Sequence, residues 1–381
     1  MLRPIGFTIL QLIGLWQPIH WQTKWSVKFY QIYSLVTITY LYIHVLSDII
    51  ELFRIQENLE NFINDLLVFL SMLGCSIKAT NILNQRYKIV KLITKLSSFS
   101  YLPQDQNEEL ILQEFDKSIS TKTIINFSIV VITATLMQIT FFKNGLKYIL
   151  PFKAWVPLNL SNPITFWTIY SFQSIGSCLG ATINTAYDTL VASLILQVCA
   201  QLSIFKYRLS TILKRVQSNV KLSADINKKE AYFFANFVKH HCEIFQFAKT
   251  LNKVFGIIFF AQFLISTFVI CVTVYSMSQL DFGSSELPPR VMYLLCMLYQ
   301  LFLFCHAGSE VITKSTEINV KIHTINWYLL NNSTQKGLLI IMLRSLKPIK
   351  FTTGFIIDLS MESYTQMMLI NDRKINFSIT F

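Results

Sequence analysis

ITFWTIYSFQSIGSCLGATINTAYDTLVASLILQVCAQLSIF, residues 164 to 205, holds one charged side chain, Asp188, in about 42 residues. As a helix it would reach roughly 63 Å at 1.5 Å per residue, about twice the hydrocarbon core of a bilayer. Whether it crosses once or twice fixes the orientation of everything after it. Cations decide the matter, because cytoplasmic loops of membrane proteins are enriched in Lys and Arg.

The chain is read as an integral membrane protein from its composition. Its 381 residues are 52% hydrophobic and 14% charged, with a mean hydropathy of +0.45, more apolar surface than a water-soluble fold can bury. The net charge of +12 does not indicate nucleic acid, since the cations lie in gaps between apolar runs. Runs of spanning length are Tyr30–Ile50, Phe62–Leu83, Thr123–Phe142, Ile164–Ala186, Val254–Met277, Val291–Ile312 and Phe351–Ile370. With 164–186 as a single crossing and the N-terminus inside, the inner gaps hold 25 Lys and Arg and the outer gaps 7. A second crossing before Phe205 would move the ten cations from Lys206 to Lys253 outside, so it is rejected. Lys78, within the second span, is expected to snorkel to its end.

The expected fold is all-α: a seven-transmembrane helical membrane protein with a cytoplasmic N-terminus, an external C-terminus and a split seventh helix. LVASLILQVCAQLSIF then projects into the cytoplasm with an apolar surface that must find partners. FVKHHCEIFQFAKTLNKVF and VKIHTINWYLLNN read as further helices of a cytoplasmic bundle where subunits would meet. Asp188 is expected near the membrane edge, partnered by Lys or solvent. IGFTILQLIGLW, residues 5 to 16, lacks a small-residue cleavage site and is expected as a short helix lying at the interface.

A G-protein-coupled receptor has the opposite orientation, and no Asp-Arg-Tyr follows span three, where Phe141, Phe142, Lys143 and Asn144 stand. No Walker, GxSxG or HExxH motif is present, so catalytic residues and cofactors are expected to be none. His240-His241-Cys242 lacks further ligands at helical spacing and reads as a polar helix face, with no metal expected. The seven cysteines show no CxxC spacing.

The motifs resemble the insect odorant receptor family over essentially the whole chain. Gly14-Leu15-Trp16-Gln17-Pro18 is similar to that family's Gly-x-Trp-Pro, with a glutamine intervening. Leu150-Pro151 through Trp155-Val156-Pro157 resembles its second outer loop, and Cys305-His306-Ala307-Gly308-Ser309 its Cys-x-x-Gly signature. Trp327, Leu338–Leu346 with Pro348, Gly354-Phe355 and Leu359-Ser360-Met361-Glu362-Ser363-Tyr364 follow in the family's terminal order. The Thr-Tyr-x₅-Gln-Phe element of gustatory receptors is missing, as is the co-receptor's long insertion between spans four and five.

The resemblance implies an odorant- or pheromone-gated, non-selective cation channel subunit in the plasma membrane of a chemosensory neuron. Its expected partners are a small volatile or lipophilic ligand, membrane lipid and a shared co-receptor in a hetero-tetramer, with no nucleic acid. A gustatory-type channel, or a chemoreceptor signalling without its own pore, are the alternatives. The expected parts are a cytoplasmic N-terminal segment (1–29), spans one to four (30–186), cytoplasmic helical extensions (187–253) and spans five and six (254–312). Cytoplasmic anchor helices (313–350) and a final pore-lining helix with a short external tail (351–381) complete them. LRSLKPIKFTTGFIIDLS, residues 343 to 360, marks the split of the seventh helix: Pro348 with Arg344, Lys347 and Lys350 ends one piece, and Phe351 begins the next. Ser363, Gln366, Ile370 and Phe377 are expected to line the pore. The chain departs from the family at Asn371-Asp372-Arg373-Lys374, which reads either as an outer vestibule or as a differing terminal exon. The expected ligand cavity takes Phe69, Leu70 and Leu73 from span two, Met137, Gln138 and Phe141 from span three, and Tyr170, Gln173 and Ser174 from span four. Ser266 and Thr273 from span five and Tyr293 and Met297 from span six complete it.

Overall fold

The segment from Ile164 to Phe205 lies within one unbroken helix, α5 (Pro163–Gln217), of 55 residues and about 83 Å. The computed structural model describes residues 5–18, 21, 23–54, 59–98, 101–158, 160–217, 223–281, 283–284, 286–354 and 357–369. Around α5 stand α1 (Ile5–Leu12), α2 (Lys24–Leu52), α3 (Leu59–Leu96), α4 (Gln106–Gly145), α6 (Ser223–Ser278) and α7 (Leu287–Thr324). Helices α2 to α7 are each long and apolar enough to cross a membrane. Along α5, Ile183, Tyr187, Leu190, Val191, Ile195, Cys199, Leu202 and Phe205 are all buried, so the helix is covered on every side over residues 183–205. Helix α2 instead exposes Leu35, Val36, Ile43 and Leu46, as a lipid-facing helix does.

The apolar half of α5 past Ala186 is covered by α6: Phe205 stacks on Phe237 at 4.0 Å and on His241 at 5.0 Å. Arg208 locks this region. It makes a buried pair with Glu108 at 2.8 Å and donates to the Leu102 carbonyl at 3.0 Å. Glu108 and Asp105 form a capping arrangement at the start of α4: Asp105 accepts from the Glu108 amide, and Glu108 accepts from the Gln104 amide. His240 and His241 do not form a solvent-facing polar face as expected; both are buried. Because Arg208 Nη1 can only donate, His240 Nδ1 accepts at 3.3 Å and its Nε2–H donates to Gln201 at 3.1 Å. Burial first, then the Arg208 guanidinium and, once it is protonated, the neighbouring His241, push His240 down to about 3. Burial, then Arg344, push His241 down to about 4. Both rings are neutral in this setting.

Helix α1, expected as a short helix, packs against α5, with its Leu10 and the following Leu15 and Trp16 buried. Tyr30 of α2 ties it down, donating to the Gln11 carbonyl and accepting from the Trp16 amide. Lys78 does not snorkel. It is buried in the bundle, paired with Asp188 at 2.6 Å and bonded to Asn184 at 2.5 Å, while Gln300 of α7 donates to the same carboxylate. Lys78, Asp188 and Gln300 thereby join α3, α5 and α7.

After α7 comes a 3₁₀ turn (Trp327–Leu329), then α8 (Asn332–Ser345), whose Arg344 lies over the Phe245 ring at 4.0 Å. The chain does not resume as a helix at Phe351. Residues Thr352–Thr353 (β1) and Ile357–Asp358 (β2) form a small antiparallel hairpin, and residues 361–369 form the last described helix, α9. The reason is a ready set of polar partners on α6. Asn252 accepts from the Thr352 amide at 3.0 Å and donates to its hydroxyl at 3.2 Å, and the Gly354 amide reaches the Gly256 carbonyl. Gly354 takes φ +55°, which only glycine adopts cheaply. On the other side a Cβ at Gly308 would collide with the Leu359 carbonyl, so the glycine of the Cys-x-x-Gly motif makes room for the hairpin. Helix α9 starts where Ser360 accepts from the Ser363 amide at 3.2 Å.

Candidate ligand-binding site

Along their outer sides α4 and α5 border an open groove of about 590 Å³. Gln138, Ile139, Phe142 and Lys143 line it from α4, and Tyr170, Ser171, Ser174 and Ile175 from α5. Its size is that of a small-molecule site, and its walls are mostly apolar. Ile139, Phe142 and Ile175 are exposed, so the groove opens sideways from the bundle. Gln138, Tyr170 and Ser174 are brought together here. Gln138 joins the two helices, its Nε2 lying 3.1 Å from Ser177 Oγ.

The other expected ligand residues are placed differently. Phe141 packs edge-on against Phe152 at 5.0 Å, and Gln173 accepts from the Phe152 amide at 3.2 Å. Both therefore hold the loop between α4 and α5 and do not line the groove. Met137 is half-buried on α4 and likewise stands outside the lining. Phe69, Leu70, Leu73 and Tyr293 are half-buried against the core, and Met297 is buried in it. Tyr293 shares a 2.6 Å hydrogen bond with Ser71, linking α7 to α3. Ser266 and Thr273 are buried on α6 and already bonded, Ser266 from Gln262 at 2.6 Å and Thr273 to the Val269 carbonyl at 2.7 Å.

Ile139, Phe142, Lys143, Ser171 and Ile175 were not expected in the lining. Helical spacing carries the missed signal: Ile139 and Phe142 follow Gln138 at i+1 and i+4, and Ile175 follows Ser171 at i+4. Ser71 is less accessible to such reasoning, since its partner lies 222 residues away.

Of the expected pore residues, Ile370 and Phe377 fall outside the described residues. Ser363 is half-buried, its hydroxyl 3.1 Å from that of Ser360. Gln366 is exposed, on one side of α9 with Glu362, Thr365 and Leu369. The opposite side is packed: Met367 accepts from Thr267 of α6 at 3.2 Å, and Tyr364 meets Phe302 of α7 at 6.1 Å.

This architecture has known counterparts. The chain superposes on the solved insect olfactory receptor OR5 from Machilis hrabei with a TM-score of 0.85, covering 97% of this chain and 95% of that one at 15% identity. The same receptor in complex with eugenol gives 0.83 over 96% and 94%, also at 15% identity. In sequence, odorant receptor Or1 of Anopheles gambiae is 21% identical over 95% of this chain and 90% of its own length. Odorant receptor 46a, isoform A, of Drosophila melanogaster is 22% identical over 84% and 81%. A family model described as 7tm odorant receptor matches residues 58–370, which takes in every long helix from α3 onward and the hairpin. The chain belongs to the insect odorant receptor family, as a seven-transmembrane helical protein.

Proposed function

We propose that this chain is the ligand-tuning subunit of an odorant-gated, non-selective cation channel, assembled with a shared co-receptor in the plasma membrane of a chemosensory neuron. The observation that carries the channel reading is the uncovered side of α9. Glu362, Thr365 and Gln366 face away from the bundle, and polar groups at membrane depth need water or protein. Copies of this side arranged around an axis supply a wet path, with Ser363, Gln366, Ile370 and Phe377 along the same terminal segment. Helix α8 leaves Leu339, Ile340, Leu343 and Leu346 exposed, a surface suited to a neighbouring subunit. The groove between α4 and α5 supplies the ligand site, and a cytoplasmic N-terminus agrees with the distribution of cations.

Recording from cells that express the chain with the co-receptor tests this. Odorant-evoked current is expected to begin within milliseconds and to survive depletion of G proteins. A response that vanishes with the G proteins would remove the channel reading.

A further inference from the structure

Two polar atoms of the groove have opposite needs. Ser177 donates its hydroxyl hydrogen to the Ser174 carbonyl at 2.9 Å, so its oxygen is left to accept from Gln138 Nε2 at 3.1 Å. The same nitrogen also faces the Ser174 carbonyl and Cys178 Sγ, each at 3.4 Å. A carbonyl oxygen accepts only, which fixes the amide with its nitrogen toward α5. Gln138 Oε1 is then an acceptor without a partner among the described residues, on a side chain that lines the groove. Ser174 Oγ is buried and likewise without a hydrogen-bond partner among them. Its neighbours behave otherwise: Ser171, Thr182 and Thr185 all bond back to their own helix. Leaving such a hydroxyl unpaired costs about 1–3 kcal/mol, a penalty that a ligand can relieve.

We propose that the groove recognises a small lipophile carrying one hydroxyl group. Its oxygen accepts from Ser174 Oγ–H and its hydrogen goes to Gln138 Oε1, while its hydrocarbon lies against Ile139, Phe142 and Ile175. This rests on the groove being the ligand site. An ether, aldehyde, ketone or ester satisfies Ser174 alone and leaves Gln138 unpaired. An alkane satisfies neither. The selectivity is therefore for a donor and an acceptor on one atom.

The test uses the full chain with its co-receptor and a panel of straight-chain, terpene and phenolic alcohols, each paired with its methyl ether and its nearest carbonyl analogue. The best alcohols are expected to act at concentrations about tenfold below their ethers, the size of the one hydrogen bond to Gln138 Oε1 that an ether cannot make. Ser174→Ala removes a bond that alcohol and ether share, so it should weaken both by about three- to tenfold and leave their ratio, while Ser174→Thr, which keeps the hydroxyl, should leave both responses in place. Because Gln138 also ties α4 to α5, Ser174 is the cleaner position, with surface labelling of each variant as the control. Ethers or carbonyls matching the alcohols, no response to any alcohol, or alcohol and ether responses both unchanged in Ser174→Ala would each overturn the proposal. Ile139→Trp separates this from failure of the site itself. If it silences the receptor while alcohols hold no advantage, the groove stands and the hydroxyl preference falls; if all responses survive it, the groove is not the site.

Discussion

At the scale of single residues, the Lys78–Asp188 pair has the largest energy at stake. Neither group reaches water, so removing one strands the other. Lys78→Met or Asp188→Leu alone is expected to cost on the order of 3–5 kcal/mol, whereas the double replacement recovers most of it. Thermal unfolding of the purified protein reads this directly, and a double variant as unstable as the singles would show that the pair is not the reason. His240 sets a second expectation. Its folded value, about 3, lies below the ordinary value of 6.5, so acid must protonate the unfolded chain first. Its stabilising effect is complete above pH 6.5 and is lost as the pH falls from there toward 3. At pH 5 the loss is on the order of 2 kcal/mol for this group, and His240→Gln should flatten the melting temperature against pH over that window. An equally steep slope in the variant would assign the acid sensitivity elsewhere.

At the scale of elements, the hairpin between α8 and α9 depends on distant partners. Asn252→Ala removes two hydrogen bonds to Thr352 and is expected to cost about 1–3 kcal/mol. Gly308→Ala should act on the same unit by pushing Leu359 away, so the two changes together are expected to fall short of additive. Strictly additive losses in thermal unfolding would argue that they act on separate units. The break before this hairpin was legible in the sequence, from Pro348 among three cations. The hairpin itself was not, because Thr352, Thr353, Ile357 and Asp358 are too few to show a period. What makes them extended is Asn252, 100 residues earlier. The same limit applies to the groove. Gln138, Tyr170 and Ser174 were found by their level in the membrane, but level does not say which way a helix is turned. Phe141 and Gln173, at nearly the same level, turn toward the loop instead.

At the scale of the whole molecule, hydropathy and cation counts made the number of crossings readable, since both are set by the bilayer and not by tertiary contacts. The orientation they imply is open to direct test. A Gly/Ser spacer with a fresh glycosylation sequon is expected to be modified when inserted in the loop after α4 and unmodified when inserted between α7 and α8. A glycosidase-sensitive mass shift at the second position alone would reverse the orientation and the pore assignment with it. The burial of α5 over residues 183–205 bears also on how the protein is made. Synthesis completes α5 about a hundred residues before α7, an interval of roughly 5 to 20 seconds at ordinary elongation rates. Through that interval α1 to α4 are present to cover part of α5, and α6 and α7, which cover the rest, are not. The side of its extension that meets Phe237 and His241 in the finished protein must meanwhile be shielded by something else. Nascent chains halted between α5 and α7 are therefore the stage at which chaperone engagement and aggregation should peak.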